Sequence, residues 1–164
     1  MGKHVLCIDD DQSILVVRKF VVESCGFRAS IATSGEKGLQ IFNTNPIDAV
    51  IVDYMMPEID GGVVSAAIKQ TSPRTPIIMM SAYPAARESV LNVVDAFIEK
   101  GNTPEALIET LKALLNVRSH SHPELQSEYV VFANSSRRYL DCSDGVCRLL
   151  GFSRPENSTK PLTI

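Results

Sequence analysis

The sequence predicts an α/β protein: a doubly wound (βα)5 parallel sheet followed by a short C-terminal α+β extension. Three observations carry this. Short apolar runs rich in β-branched residues, HVLCI (4–8), AVIV (49–52), PIIMM (76–80) and AFI (96–98), end in polar or turn residues and lack polar alternation, as strands covered on both faces do. Amphipathic helical patterns separate them. The order is strand then helix, five times, which implies right-handed crossovers and helices on both faces of the sheet.

HVLCI is the first strand. In the helix that follows DDD (9–11), Ile14, Val17, Val21 and Cys25 share one face, Arg18, Lys19 and Glu23 take the other, and Gly26 closes it. FRASIAT (27–33) alternates more and reads as an edge strand, and Ser34 opens the second helix, SGEKGLQIFN. AVIV is the third strand, GGVVSAAIKQT from Gly61 the third helix, and PIIMM the fourth strand. A fourth helix is expected from Pro84, then the strand AFI. The last helix has Thr103 as its N-cap, Pro104 at its first position, and Leu107, Leu111 and Leu114 on one face.

A chain of 164 residues holds one domain of ordinary size with about 40 residues beyond it. With 16 Lys and Arg against 19 Asp and Glu it has no basic footprint, which argues against nucleic acid as a direct partner. The first residues lack the apolar core of a signal peptide, and no run approaches the roughly 20 apolar residues of a membrane helix, so a soluble, cytoplasmic protein is expected. Cys7, Cys25, Cys142 and Cys147 are scattered and read as reduced thiols. His120 and His122 with Cys142 and Cys147 match no standard zinc spacing.

In open sheets of this kind ligands bind beyond the carboxyl ends of the strands. Asp9, Asp10 and Asp11 follow the first run, Asp53 the third, Ser81 the fourth, and Lys100 the fifth with one residue between. Each alone has an ordinary reading: aspartates cap helices, Asp53 and Ser81 open turns, and Lys100 is a solvated loop charge. Together the odds change. Asp9, Asp10 and Asp53 converging on one edge repel unless a cation intervenes, and hard oxygen donors in a hydrated cluster suit Mg²⁺. Such a site can accept a phosphoryl group.

From about Lys3 to Val117 the chain resembles the receiver domain of two-component response regulators. CIDDDQSI, AVIVDYMMPEIDGG, IIMMSAYP and DAFIEK correspond to that family's signatures in order, type and approximate spacing. The resemblance implies a flavodoxin-like sheet of strand order 2-1-3-4-5 over residues 1–117. It implies Asp53 as phosphoacceptor, Asp10 as direct Mg²⁺ ligand, Asp9 as ligand through water and the Met55 carbonyl as a further ligand. It also implies Ser81 as switch hydroxyl and Phe97 as switch aromatic. Lys100 then pairs with Asp53 before phosphorylation and with a phosphoryl oxygen afterwards, making Asp53, Ser81 and Lys100 the reactive set. When Ser81 moves to the phosphoryl group, Phe97 or Tyr83 fills the vacated space. The implied donor is a histidine kinase or phosphotransfer protein, and the output a contact with a downstream protein rather than metabolic catalysis.

Three departures from the family pattern matter. Gly101 stands where the family has proline, which leaves the bend after Lys100 less fixed. The Ser81 to Lys100 segment is about one helical turn short, with Val94 and Asp95 replacing a common Gly-Ala, so a short or irregular fourth helix is expected. Met55 and Tyr83 stand at the positions that in this family flank the path of the hydrolytic water, where an apolar side chain and an aromatic ring hinder it and supply no acid or amide to orient it, so slow self-dephosphorylation is expected.

Residues 118–128 read as a polar linker, and 129–164 resemble the opening of a PAS domain. Two strand-like pieces lie around Asn134 to Arg138, and a helix candidate near Asp144 to Leu150 ends at Gly151. A whole PAS fold needs about 100 residues, so this segment cannot close its own sheet, and a lone hairpin is marginal in water. Three fates are open to it, disorder, folding back on the receiver or exchange with a second chain, and of these packing on a second copy, as a homodimer, is preferred. Three other functions compete. A pseudo-receiver would bind protein constitutively. An aspartyl phosphatase would need a second acid where Met55 stands, and a flavin protein would need a Ser/Thr/Gly-rich loop after the first strand.

Overall fold

The apolar runs are covered on both sides, as their lack of alternation predicts. A computed structural model describes residues 2–83, 85–116, 131–133 and 139–142 of the chain, which divides into two units, Met1–Arg118 and Ser119–Ile164. In the first unit, β1 (His4–Ile8), β2 (Arg28–Ala32), β3 (Ala49–Asp53), β4 (Ile77–Ser81) and β5 (Ala96–Glu99) form one sheet of order β2-β1-β3-β4-β5. Every pairing is parallel, which is the flavodoxin-like arrangement. β2 is an edge, as its mixed pattern indicated.

Successive side chains of a strand point to opposite faces, and the two cores follow that parity. Val5, Cys7, Ile51 and Ile78 lie with Leu15 and Val22 of α1 (Gln12–Ser24) and Leu107 and Leu111 of α5 (Pro104–Leu114). Leu6, Ile8, Val50, Val52, Ile77 and Met79 face the other way, with Val64 and Ile68 of α3 (Gly61–Thr71) and the inner side of α2 (Gly35–Thr44). Each fully buried aliphatic side chain contributes about 1.5–3 kcal/mol, so the two layers hold the sheet from both sides.

The helix starts were encoded locally. Asp11 accepts from the Ser13 and Ile14 N–H groups at 2.9 and 3.3 Å, Ser34 from Lys37 at 3.3 Å, Asp60 from Val63 at 2.9 Å and Thr103 from Ala106 at 3.4 Å. Gly26, with φ 84, ends the first helix as expected. α4 (Ala86–Val90) has five residues and no side-chain cap, so the shortened segment does yield a short helix. Pro84, its expected start, lies outside the described residues.

One expectation about α1 is corrected. Its buried stripe is Leu15, Arg18 and Val22, while Ile14, Val17, Val21 and Cys25 are only half-buried. The helix is rotated by about one residue from the all-apolar face. The reason lies in the sheet: Asp9 is fully buried, and Arg18 meets it.

In the second unit, β6 (Val131–Ala133) and β7 (Tyr139–Cys142) pair antiparallel, Val131 opposite Cys142. The linker, the helix near Asp144, the PAS-like pattern beyond these strands, and the side chains of His120, His122, Cys142 and Cys147 lie outside the described residues. Cys7 and Cys25 are free thiols, and burial pushes the Cys7 pKa up to about 12, leaving it inert near neutral pH. Among the described residues no helix is long and apolar enough to cross a membrane.

Candidate functional site

Sheet register brings the predicted residues together. Ile8 of β1 is level with Val52 of β3, so the next residues, Asp9 and Asp53, leave neighbouring strands side by side. Ser81 ends β4 level with Glu99 of β5, and Lys100 follows directly. Asp11 is occupied as the cap of α1, which leaves Asp9 and Asp10 to face the cleft.

Asp9, Asp10 and Asp53 each offer an oxygen within 4.8 Å of the others. Asp9 and Asp53 are 0% and 1% exposed, and Asp10 is half-buried. At that spacing, with two of them out of water, three carboxylates repel strongly, so cations must stand among them. Lys100 Nζ lies 2.7 Å from Asp53 Oδ2 and 3.4 Å from Asp9 Oδ2. Arg18 Nη2 donates to Asp9 Oδ2 at 3.2 Å, and Asp9 Oδ1 accepts the Asp11 N–H at 3.0 Å. Three carboxylates against two cations leave one net negative charge. Burial, then the Asp9 charge, raise the Asp53 pKa above its ordinary value, outweighing the opposing pull of Lys100 and Arg18.

Arg18 was missed from sequence because a charged residue on an amphipathic helix is assigned to the wet face. The available signal was its spacing, three after Leu15 and four before Val22, which places a guanidinium in an otherwise apolar stripe.

The Ser81 hydroxyl is fully buried and accepts the Tyr83 N–H at 3.0 Å. Phe97 is half-buried against the core on the α2 and α3 side, while Tyr83 and Met55 expose 58% and 48% of their surface beside the cleft strands. The main chain at Lys100 continues the pairing of β5 with β4. Its N–H donates to the Ser81 carbonyl at 2.7 Å, and Gly101 turns the chain at φ 115, a conformation other residues rarely adopt. Gly61, at the start of α3, lies against the main chain of Asp53, whose carbonyl a β-carbon there would strike. Only glycine lets α3 begin so close to the site.

Comparison with known proteins points one way. The profile of the response regulator receiver domain matches residues 5–112. The chain is 29% identical over 118 residues to the alkaline phosphatase synthesis transcriptional regulatory protein PhoP of Bacillus subtilis, covering 70% of this chain and 49% of that one. It is 32% identical over 115 residues to the probable transcriptional regulator ycf27 of Cyanidium caldarium, covering 68% and 46%. The chain thus spans about half the length of these curated relatives. Among solved structures, the CheY-like response regulator receiver domain protein of Methanospirillum hungatei superposes with a TM-score of 0.68 at 28% identity, covering 71% of this chain and 95% of that one. The response regulator TrrA of Thermotoga maritima, solved in complex with Mg(2+)-BeF, gives 0.66 at 29% identity, covering 68% and 98%.

Proposed function

The chain belongs to the response regulator receiver domain family, a family of signalling modules, and from that premise we propose that it accepts a phosphoryl group on Asp53 and signals through protein contacts. The observation that carries this is the convergence of Asp9, Asp10 and Asp53, two of them buried, on one cleft with the Lys100 ammonium among them. A phosphohistidine on a histidine kinase or phosphotransfer protein is the proposed donor. The Asp53 carboxylate attacks phosphorus, the nitrogen–phosphorus bond breaks with its electron pair leaving on the imidazole, and an acyl phosphate remains.

The donor set fits Mg²⁺, since the carboxylate oxygens converge within 4.8 Å and keep a net negative charge. Asp9, Asp10, Asp53 and the Met55 carbonyl would hold the ion, which when bound supplies charge neutralisation at the phosphoryl oxygens. Lys100 positions Asp53 before transfer and neutralises a phosphoryl oxygen after it. The Ser81 hydroxyl then exchanges the Tyr83 backbone for the phosphoryl group, and Phe97 or Tyr83 repacks on the surface formed by α4, β5 and α5.

In this reading residues 1–117 are the receiver, 118–128 a linker and 129–164 a partial PAS-like segment that packs on a second copy, and the protein works in the cytoplasm. Intact-mass analysis after incubation with acetyl phosphate and Mg²⁺ tests the chemistry. A phosphoryl adduct is expected on the wild type and not on Asp53→Asn. An equal adduct on Asp53→Asn refutes the assignment, and no adduct on either leaves a constitutive binding module.

Met55 and Tyr83, two residues after Asp53 and Ser81 and both exposed, offer a thioether and an aromatic ring where neither a carboxylate nor an amide is present to orient water. The acyl phosphate is therefore expected to hydrolyse slowly, and Met55→Asn with Tyr83→Glu to shorten its half-life. An unaltered half-life would remove this part of the proposal.

A further inference from the structure

Arg18 is the feature of this site that the reaction above does not use. It lies on the inward stripe of α1 with 5% of its surface exposed, and burying a guanidinium is costly unless it is fully paired. The pairing is partial. Nη2 reaches Asp9 Oδ2 at 3.2 Å, while Nη1 is buried with no hydrogen-bond partner among the described residues. Apolar residues of Leu15 or Val22 type would serve the core better at that position.

What Arg18 does change is the availability of Asp9. Oδ1 of Asp9 is taken by the Asp11 N–H, and Oδ2 is shared between Arg18 at 3.2 Å and Lys100 at 3.4 Å. Lys100 can leave, because its closer partner is Asp53 at 2.7 Å and its long stem lets it follow a phosphoryl oxygen. Arg18 lies on the inward stripe of α1, and its guanidinium is a weakly hydrated, planar cation that cannot follow an incoming group as a lysine stem can. A divalent ion entering the cluster must therefore either displace the guanidinium from Asp9 or bind beside a permanent positive charge.

We propose that Arg18 is a built-in counter-cation that competes with the divalent ion for Asp9 and holds the metal affinity of the unphosphorylated site low. It is a positioning residue acting through Asp9, and its role rests on the Mg²⁺ reading given above. A unit charge a few ångströms from a divalent ion, in the intermediate dielectric of a cleft, changes affinity by about tenfold or more.

Isothermal titration of the unphosphorylated full chain with Mg²⁺ alone, and with Mn²⁺ alone, tests this without any phosphoryl transfer. Arg18→Met, which keeps the packing and removes the charge, is expected to bind about tenfold more tightly than wild type. Arg18→Lys, which keeps the charge, should stay near wild type. Equal or weaker binding by Arg18→Met overturns the proposal. Should Arg18→Met not fold, the wild type decides: on saturation with Mg²⁺ the Arg18 Nε–H resonance, assigned by its absence in Arg18→Lys, should shift and exchange faster with solvent. An unmoved resonance overturns the proposal. No binding by any variant refutes the metal site itself and this inference with it, whereas equal binding by all refutes only the inference.

Discussion

Two lysine–aspartate pairs, both 2.7 Å long, sit at opposite ends of the same sheet. At the amino end Lys69, near the end of α3, meets Asp95, just before β5. Lys69 Nζ also donates to the carbonyls of Thr75 and Pro73, and Asp95 Oδ2 accepts the Ile77 N–H at the start of β4, again at 2.7 Å. One ammonium and one carboxylate, each completed by backbone, form a closed set that pins α3 to the entries of β4 and β5. At the carboxyl end Lys100 and Asp53 are as close, yet two further carboxylates and a buried arginine surround them, and the charges do not balance. An ion-pair distance therefore says little about function. The convergence of three carboxylates on one cleft, two of them buried, distinguishes the site from the pin.

The sharpest way to break that comparison is to remove each lysine in turn. Lys100→Met should slow phosphorylation by acetyl phosphate about 10²–10³-fold, the usual cost of one donor to developing charge, while Lys69→Met leaves the rate essentially unchanged. The reverse should hold in urea unfolding, with Lys69→Met losing about 1–2 kcal/mol through its orphaned carbonyl and carboxylate partners. Equal kinetic effects of the two changes would erase the distinction.

A smaller effect sharpens it. The Asp53 pKa is raised in the folded protein, chiefly by burial, so the fold binds that proton more tightly than the unfolded chain does. The resulting stability is fully present below the ordinary Asp value of 3.8 and is lost as pH rises through the higher folded value. In metal-free buffer the wild type should therefore show a decline over that window that Asp53→Asn lacks. Coincident stability–pH curves for the two proteins would contradict it.

Much of this was legible in the sequence because it is local. Continuous apolar runs gave the strands, Ser34 and Thr103 gave helix starts, and the polar residues at run ends gave Asp9, Asp10, Asp53, Ser81 and Lys100 as neighbours once a parallel sheet was inferred. What escaped was non-local. Arg18 was assigned to the wet side because the apolar pattern of α1 fits two rotations of the helix, and only the buried carboxylate at residue 9 selects between them. Asp95 was visible only as a departure from a family pattern, since its partner lies 26 residues away on another element. The Ser81 hydroxyl's engagement with Tyr83 depends on a rotamer, which residue order does not encode.

The bond from the Lys100 N–H to the Ser81 carbonyl joins the main chains that carry the expected hydroxyl and ammonium. β5 borders the sheet, so this link is one of the backbone bonds that tie that margin to β4. The two residues proposed to meet an incoming oxyanion thus share one backbone link at the rim, so the spacing between their main chains is set by the sheet.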